Sequence, residues 1–473
     1  MGLTQIAASI LTSILVGALT RGAWRTYSLL ALSALAVYWF QPALPLRAFD
    51  FWLPTLALAL TALTWLVTSP PGAWKARRNV SGLLILVGVV TLLDLSRYIF
   101  PKPLLTGTPP PPFTQYLLFL AALLLFAFFL AFLSRTKFSL STALLIILLL
   151  AILVTLKSPK LSLQASLLLR TLTDRPTATA SPLDLRWLGF SYIAFRLIHV
   201  LRDKQTGRLP ELSLPEFAAY VVFFPSLAAG PIDRAERFAK DLRSDFTLTR
   251  EQTLSAGQRL LVGLFKKFVV ADALALIALN DTLAAQVHST GWMWFHLYAY
   301  AFQIYFDFSG YTDIAIGIAR LAGVSLPENF LAPYIKPNLT QFWNSWHMTL
   351  TQWIRAYFFN PFNRWIRGYK FLPAWAMLLL GQLATMLIIG LWHGITWNFV
   401  LWGAWHGLGL FLQNRWSDFA KRNVAAASPR LQTALQAGGV LLTFHFVALG
   451  WVFFALSTPH LSAQVLSKLF RLQ

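Results

Sequence analysis

Residues 305–313 read Tyr305-Phe306-Asp307-Phe308-Ser309-Gly310-Tyr311-Thr312-Asp313 and place two carboxylates inside a long apolar run. Two more polar motifs follow, Phe342-Trp343-Asn344-Ser345-Trp346-His347 and Leu391-Trp392-His393-Gly394. Ionisable groups are costly to bury in apolar segments, so they persist where they are paired, face a wet cavity or take part in chemistry. His347 and His393 are therefore the candidate chemical groups.

The composition predicts an all-α, polytopic integral membrane protein. Of the 473 residues, 57% are hydrophobic and 12% are charged, and apolar runs recur along the whole chain. A run of about 17 to 25 apolar residues crosses the membrane as a helix, and the lack of alternating polar residues argues against a β-barrel. We count about 11–12 transmembrane helices plus re-entrant helices, which predicts a multi-pass protein of the cell (plasma) membrane.

The charge pattern fits membrane lipid as the partner of the basic residues. The 39 Lys and Arg outnumber the 18 Asp and Glu, giving a net charge of +21. These bases lie mostly in short loops between apolar runs, where they fix orientation and meet anionic headgroups, so no nucleic acid partner is predicted. The chain has no cysteine, which excludes thiolate nucleophiles and cysteine-ligated metals.

We divide the chain into four parts by the distribution of polar residues. They are an N-terminal transmembrane scaffold (1–156), a polar connection (157–186), a core that carries the motifs (187–456) and a C-terminal tail (457–473). The positive-inside bias of the first loops places the N-terminus outside. The polar connection would then also lie outside, yet it carries several basic residues, which leaves its topology open.

Three segments of the core have predicted membrane roles. Residues 220–234 contain Pro225 and Gly230-Pro231, which is typical either of a re-entrant element or of a helix that ends at a proline. Residues 233–258 predict an amphipathic helix on the cytoplasmic surface. Lys266-Lys267 then begin the next span, which ends near Asp281.

The polar motifs are expected on helices. A helix over Thr340–Phe359 would place Asn344, His347 and Thr351 on one face. A helix over 292–320 would place Asp307 and Asp313 on nearly opposite faces, so these carboxylates do not form an acid–base pair, and polar packing is the favoured interpretation. His406 follows His393 by thirteen residues, so the two rings face one cavity only if the backbone breaks at Gly394.

These motifs resemble the membrane-bound O-acyltransferase family. The resemblance lies in residues 305–311, Asn329-Phe330, the segment from Phe342-Trp343-Asn344 to His347-Met348-Thr349-Leu350, and Gly390-Leu391-Trp392-His393-Gly394. Within the family, they are most similar to the bacterial alginate O-acetyltransferases and the D-alanyl transferases of teichoic acid. Phe223-Phe224-Pro225 and Gly230-Pro231-Ile232-Asp233-Arg234 fit the same branch. The resemblance covers about 185 to 456 and implies a fold that forms a funnel or tunnel.

The resemblance implies acyl transfer from a cytoplasmic thioester to a hydroxyl of a cell-envelope polysaccharide or teichoic acid outside. The donor is acyl-CoA or an acyl carrier protein, a co-substrate rather than a bound cofactor. His393 matches the family's nearly invariant histidine, and His347 with Asn344 matches the second, upstream one. His406 matches a recurrent position without an established catalytic role. A partner acyltransferase outside is a further expectation.

We predict these roles. His393, kept neutral by apolar surroundings, is the general base. Asn344 and His347 hold the donor or the oxyanion. The remaining candidates contact substrate: Trp343, Trp346 and Trp392 lining the tunnel, Lys336 and Arg355 meeting donor phosphates or an acidic carrier protein, and Asp307 and Tyr311.

Two other classes of protein remain as alternatives. A transporter or flippase of an envelope precursor also needs buried polar residues, but the sequence shows no internal repeat. A metal enzyme would use His347, His393 and His406, but the spacing of a metal site is missing, so we predict no metal. His199, His296 and His445 are expected to be packing residues.

Overall fold

The computed structural model describes residues 2–136, 138–369, 372–423 and 428–472, and within these ranges the regular elements are helices, with no β-strand. The chain forms two compact units. The first comprises Met1–Leu260 and Ile314–Pro327, and the second comprises Leu261–Asp313 and Glu328–Gln473. The all-α prediction is confirmed.

The first unit contains the predicted N-terminal spans. Its helices are α1 Leu3–Leu19, α2 Gly22–Phe40, α3 Phe49–Thr68, α4 Arg77–Ile99, α5 Phe113–Thr136, α6 Phe138–Lys157, α7 Pro159–Leu172, α8 Phe190–Gln205, α9 Leu214–Val221, α10 Ala235–Arg243 and the start of α11 Arg250–Leu264. Helices α1 to α6 occupy the predicted N-terminal transmembrane scaffold. The polar connection contains α7, which is capped by Ser158.

Among the described residues, six helices are long and apolar enough to cross a membrane: α3, α4, α5, α6, Ala374–His393 and Pro429–Ala455. Helix α5 has the apolar outer surface that is expected of a membrane-spanning helix. Its side chains Leu118, Leu125 and Phe128 are each more than 70% exposed. Exposed apolar surface on this scale is unfavourable in water and favourable against lipid tails.

Residues 214–234 contain an eight-residue helix followed by buried irregular backbone. Helix α9 ends at Val221, and a 3₁₀ turn follows at Phe224–Ser226. The buried Arg196 guanidinium donates to the carbonyl oxygens of Val221 at 2.8 Å and of Ser226 at 3.1 Å. Arg196 thus satisfies the carbonyl at the end of α9 and adds a bond to the irregular backbone that follows, an arrangement that suits a re-entrant element.

We expect Glu216→Gln to destabilise the first unit at neutral pH. Burial alone would raise the pKa of Glu216, but hydrogen bonds from Arg243 and Ser213 and the charge of Arg78 outweigh it and lower the pKa to about 2. A lowered carboxyl pKa contributes stability above the unfolded value of about 4.3, and this contribution is lost as the pH falls through the folded value. Thermal unfolding of the purified protein from pH 7 to pH 3 should show the difference in stability between wild type and variant narrowing below about pH 4; a constant difference contradicts the prediction.

The second unit holds the polar motifs. After the end of α11, its helices are α12 Asp272–Ala275, α13 Asp281–Gln286, α14 Thr290–Leu321 (to Asp313), α15 Leu339–Trp343, α16 Met348–Ile354, α17 Asn360–Ile366, α18 Ala374–His393, α19 Trp397–Asn423, α20 Pro429–Ala455 and α21 Pro459–Phe470. The predicted helix over 292–320 is confirmed as α14.

Lys266-Lys267, predicted to begin a membrane span, are not the start of a helix. A π-helical segment, Phe265–Ala271, joins α11 to α12, so both lysines lie within a longer helix that begins at Arg250. The predicted surface helix over 233–258 is likewise divided, into α10 and the first part of α11. The two lysines were interpreted as the start of a membrane span, and in the structure they pair with aspartates on α14.

Helices α18 and α19 form a hairpin whose backbones approach closely at glycines. A Cβ atom on Gly403 would lie 2.7 Å from the Met386 carbonyl oxygen and 2.9 Å from the Leu387 Cα. Gly390 faces the Phe399 carbonyl, and Gly407 faces Leu383 in the same way. Small residues at such crossings permit backbone contact between membrane helices.

We therefore expect Gly403→Ala to destabilise the protein by about 1 to 3 kcal/mol, because backbone atoms on α18 cannot rotate away from the added methyl group. The matched control is Gly438→Ala on α20, where a Cβ atom would meet nothing within 4 Å. The apparent melting temperature in detergent should fall for the first variant and not for the second. An equal change in apparent melting temperature for the two variants would refute the close-packing argument.

Candidate active site

The predicted helix over Thr340–Phe359 is interrupted at the motif itself. Helix α15 ends at Trp343, and α16 begins after His347, whose backbone is left-handed with φ of 43°. The expectation that Asn344, His347 and Thr351 share one helix face is therefore wrong. A non-glycine residue in this conformation is strained, and such strain is concentrated at functional sites.

Asn329 orients the His347 ring. The two side chains meet at 3.1 Å between Asn329 Oδ1 and His347 Nδ1. The backbone N–H of Thr349 also donates to Asn329 Oδ1, at 3.2 Å, which identifies this atom as the amide oxygen. Nδ1 must then carry the proton, so in the neutral ring Nε2 is an acceptor. Nε2 is buried and has no hydrogen-bond partner within the part of the chain that the structure describes.

His393 lies at the last residue of α18, where the backbone leaves the helix. Gly394 continues in an extended conformation and packs against Phe399, so that a Cβ atom there would lie 2.7 Å from the Phe399 ring. The His393 ring is half-buried and contacts Phe454, with 4.8 Å between ring centroids. The Trp392 ring lies 4.5 Å from His393 and 6.1 Å from His347, so it connects the two candidate histidines.

His406 belongs to the same neighbourhood because the chain does break at Gly394. The Trp402 ring lies 5.7 Å from His393 and 4.8 Å from His406. His406 is completely buried, and neither of its ring nitrogens has a hydrogen-bond partner among the described residues. Gly450 leaves room for its ring, since a Cβ atom there would lie 2.8 Å from His406 Nε2.

A cavity of about 250 Å³ lies beside α15, bounded by α16, α18 and α19. Its walls are formed by Thr340, Trp343, Asn344, Thr351, Ile354, Arg355, Phe359, Leu378, Gln382, Thr385, Met386, Ile389, Leu410 and Asn414. Asn344 is exposed there and accepts a hydrogen bond from Arg355 at 2.9 Å, instead of contacting His347. The cavity thus brings together three predicted substrate-contacting residues, Trp343, Asn344 and Arg355.

Other predicted residues lie elsewhere in the second unit. Trp346 is 5% exposed and packs in an aromatic cluster, with ring centroids 5.1 Å from both Phe330 and Trp451. Tyr311 is buried on α14, and Lys336 follows the 3₁₀ turn Pro333–Ile335 and is half-buried.

Asp307 and Asp313 each pair with a lysine of the π-helical segment. Lys266 Nζ lies 2.7 Å from Asp313 Oδ2, and Lys267 forms an ion pair with Asp307. Gly310 lies between the two aspartates, and a Cβ atom there would be 2.8 Å from the Lys267 backbone nitrogen. The carboxylates are therefore parts of the contact between two helices.

Sequence reasoning quoted Asn329 within a motif but gave it no role, and it gave none to Gln382. Asn329 lies in the loop after α14, 18 residues before His347. An amide this close in sequence to a candidate histidine could have suggested the contact. Lys266 and Lys267 were named only as a span boundary. Two adjacent cations and two carboxylates within apolar segments could have suggested the pairing.

Comparison with known proteins identifies a family and several relatives that this chain is similar to. The model of the membrane-bound O-acyltransferase family matches residues 23–457. A probable alginate O-acetylase of Pseudomonas fluorescens is 35% identical over 284 residues, which cover 60% of this chain and 54% of that protein. A teichoic acid D-alanyltransferase of Bacillus subtilis is 30% identical over 275 residues, covering 57% of this chain and 69% of that protein.

A peptidoglycan O-acetyltransferase of Helicobacter pylori is 36% identical over 243 residues, covering 50% of this chain and 43% of that protein. The chain spans about half the length of the alginate O-acetylases that it matches.

Proposed function

We propose that this integral membrane protein, which belongs to the membrane-bound O-acyltransferase family, transfers an acyl group from a cytoplasmic thioester to a hydroxyl group of a cell-envelope polymer. The names of its relatives supply the class of acceptor, because they act on alginate, teichoic acid or peptidoglycan. The donor, the direction of transfer and the catalytic histidine are parts of the proposal.

The observation that carries the proposal is the difference in access between the three histidines. His393 is half-buried beside Trp392, whereas His347 and His406 are 2% and 0% exposed. A general base must come within hydrogen-bond distance of the proton it takes. His393 is the ring that an incoming hydroxyl group can reach.

The proposed reaction is a direct transfer. A neutral nitrogen of His393 takes the hydroxyl proton as the oxygen attacks the thioester carbonyl. The carbon–sulfur bond then breaks, the ester forms, and the proton passes from His393 to the departing thiolate. Trp392, Trp402 and Phe454 surround the ring and exclude water, which limits hydrolysis of the thioester.

We assign His347 the role of a hydrogen-bond acceptor. Its Nδ1 proton is committed to Asn329, so the neutral ring has no proton on Nε2 to give to an oxyanion. Nε2 can instead accept a hydrogen bond from another N–H or O–H group of the bound substrate, which leaves the proton of the attacking hydroxyl group to His393. This role differs from holding the oxyanion, which was one of the two roles predicted for His347.

The cavity lined by Trp343, Asn344 and Arg355 is the proposed donor side. Arg355 is exposed at the start of a π-helical segment, Arg355–Phe359, where its charge suits the phosphate of acyl-CoA or the acidic surface of an acyl carrier protein. Lys336 adds positive charge on the loop before α15.

Mass spectrometry of acyl groups released by mild base from the cell envelope tests the proposal. Cells that express the protein should carry an ester that cells lacking the gene do not, and the released acid identifies the acyl group. Equal ester content in envelopes from cells with and without the protein would contradict the proposal.

A further inference from the structure

Asn398 ties the first turn of α19 to the end of α20. Its side chain is 2% exposed, and its Nδ2 atom donates to the Leu456 carbonyl oxygen at 2.5 Å and to Ser462 Oγ at 3.3 Å. A primary amide has two N–H donors, and both are used here. Leu456 is buried at the C-terminal end of α20, so the amide supplies a partner that a buried helix end needs for its carbonyl groups.

The two segments that Asn398 joins provide aromatic walls around His393. Phe399, the next residue on α19, is stacked on the His393 ring, with 5.9 Å between ring centroids. Phe454, two residues before Leu456, meets the same ring edge-on at 4.8 Å. The two phenylalanine rings also contact each other, at 5.0 Å. The position of the imidazole therefore depends on how the end of α20 packs against the start of α19.

We propose that Asn398 is a positioning residue for His393, and this inference rests on the proposed function in taking His393 as the general base. The hydrogen bond from Asn398 to the Leu456 carbonyl fixes the last turn of α20. Phe454 on that turn then holds the imidazole in the orientation from which it takes the hydroxyl proton. Asn398 acts through Phe454 rather than through a contact with the substrate. A displacement of about 1 Å at a reacting group can lower a rate about 10²-fold, so this hydrogen bond bears on turnover.

Chemical modification of His393 tests this coupling without acyl transfer. Diethyl pyrocarbonate modifies accessible imidazole rings, and peptide mass spectrometry of the full-length protein in detergent gives the rate at each histidine. We expect His393 to react at least about threefold faster in Asn398→Leu and in Phe454→Leu than in wild type, because both changes loosen the wall beside a half-buried ring. The exposed His288 provides the reference rate in each sample.

Ser462→Ala is the matched control, because it removes the longer of the two amide contacts and keeps the bond to the Leu456 carbonyl. In this variant, His393 should react at the wild-type rate. An unchanged rate in Asn398→Leu overturns the proposal. An unchanged rate in Phe454→Leu overturns it as well, and that result needs no Asn398 variant to fold.

Acyl transfer by the same variants gives the second readout. Asn398→Leu and Phe454→Leu should each lower turnover about tenfold or more with little change in KM, and the double variant should lose less than the product of the single losses, since both residues act on one ring. Unchanged turnover, or losses that multiply, overturns the positioning role. Acylation with an unaffected His393 refutes this inference and leaves the proposed function standing. A faster-reacting His393 in a protein without acylation refutes the proposed function and leaves the coupling of Asn398 to His393 standing.

Discussion

Replacing His393 by alanine is expected to lower the ester content of the envelope by at least about a hundredfold at equal protein abundance, since a positioned general base contributes about 10²- to 10⁴-fold. The His393 ring is the half-buried member of the three histidines, and it ends α18 where the backbone turns at Gly394. Removing the ring leaves the glycine packing of the α18–α19 hairpin unchanged. The loss should therefore appear in turnover rather than in the amount of folded protein.

His445→Ala is the matched control for this experiment. His445 is also a histidine within an apolar helix, but its ring is bonded to the Tyr298 hydroxyl at 2.9 Å and to the Leu441 carbonyl at 2.7 Å. We expect this variant to retain acylation. If His393→Ala retained it as well while the protein stayed folded, the base would lie elsewhere and a transport function would become the better explanation.

Replacing Asn329 by leucine is expected to reduce turnover by about a hundredfold with a small change in KM, because the wrong histidine tautomer lowers rate more than binding. Without the amide oxygen, the His347 Nδ1–H loses its acceptor and the ring can protonate on Nε2 instead. The side chain that should accept a hydrogen bond from the substrate would then donate one. Steady-state kinetics with the purified protein separate the two parameters.

Asn329→Asp is the variant that separates orientation from packing. It keeps an acceptor oxygen for His347 Nδ1 and for the Thr349 backbone N–H, so it should retain much more activity than Asn329→Leu. It should also shift the pH dependence of turnover upward, because a carboxylate beside the ring stabilises its protonated form. Equal loss of activity in both variants would indicate that Asn329 serves packing alone.

The regular helices could be predicted, and the interruptions could not. Helices α1 to α6, α14 and α18 follow from long apolar runs, whose length and composition decide the outcome. The break before His347 depends instead on tertiary contacts. Residues 345 and 348 make backbone hydrogen bonds with the loop that contains Asn329, and these compete with helix continuation. A helical period cannot reveal such a competition.

The sequence was enough to select candidate site residues, but not to say which of them contact one another. The scarcity of polar groups in apolar runs was enough to select His347 and His393, and the condition stated for His406 is met by the break at Gly394. Asn344 was assigned to His347 by spacing, yet it contacts Arg355. Gln382 looked like an ordinary polar residue of a span, because an unpaired atom is visible only once its neighbours are placed.

The π-helical segment limits how this chain can change in length. Lys266 and Lys267 reach Asp313 and Asp307 from neighbouring positions in a stretch that holds one more residue per turn than an α-helix. Deleting one residue there would convert a π-helical turn into an α-helical one and shift the lysines relative to α14, which would disturb both pairs. Homologous chains should therefore vary in length in the loops that flank this helix, while the spacing between the two lysines and the rest of the helix stays constant.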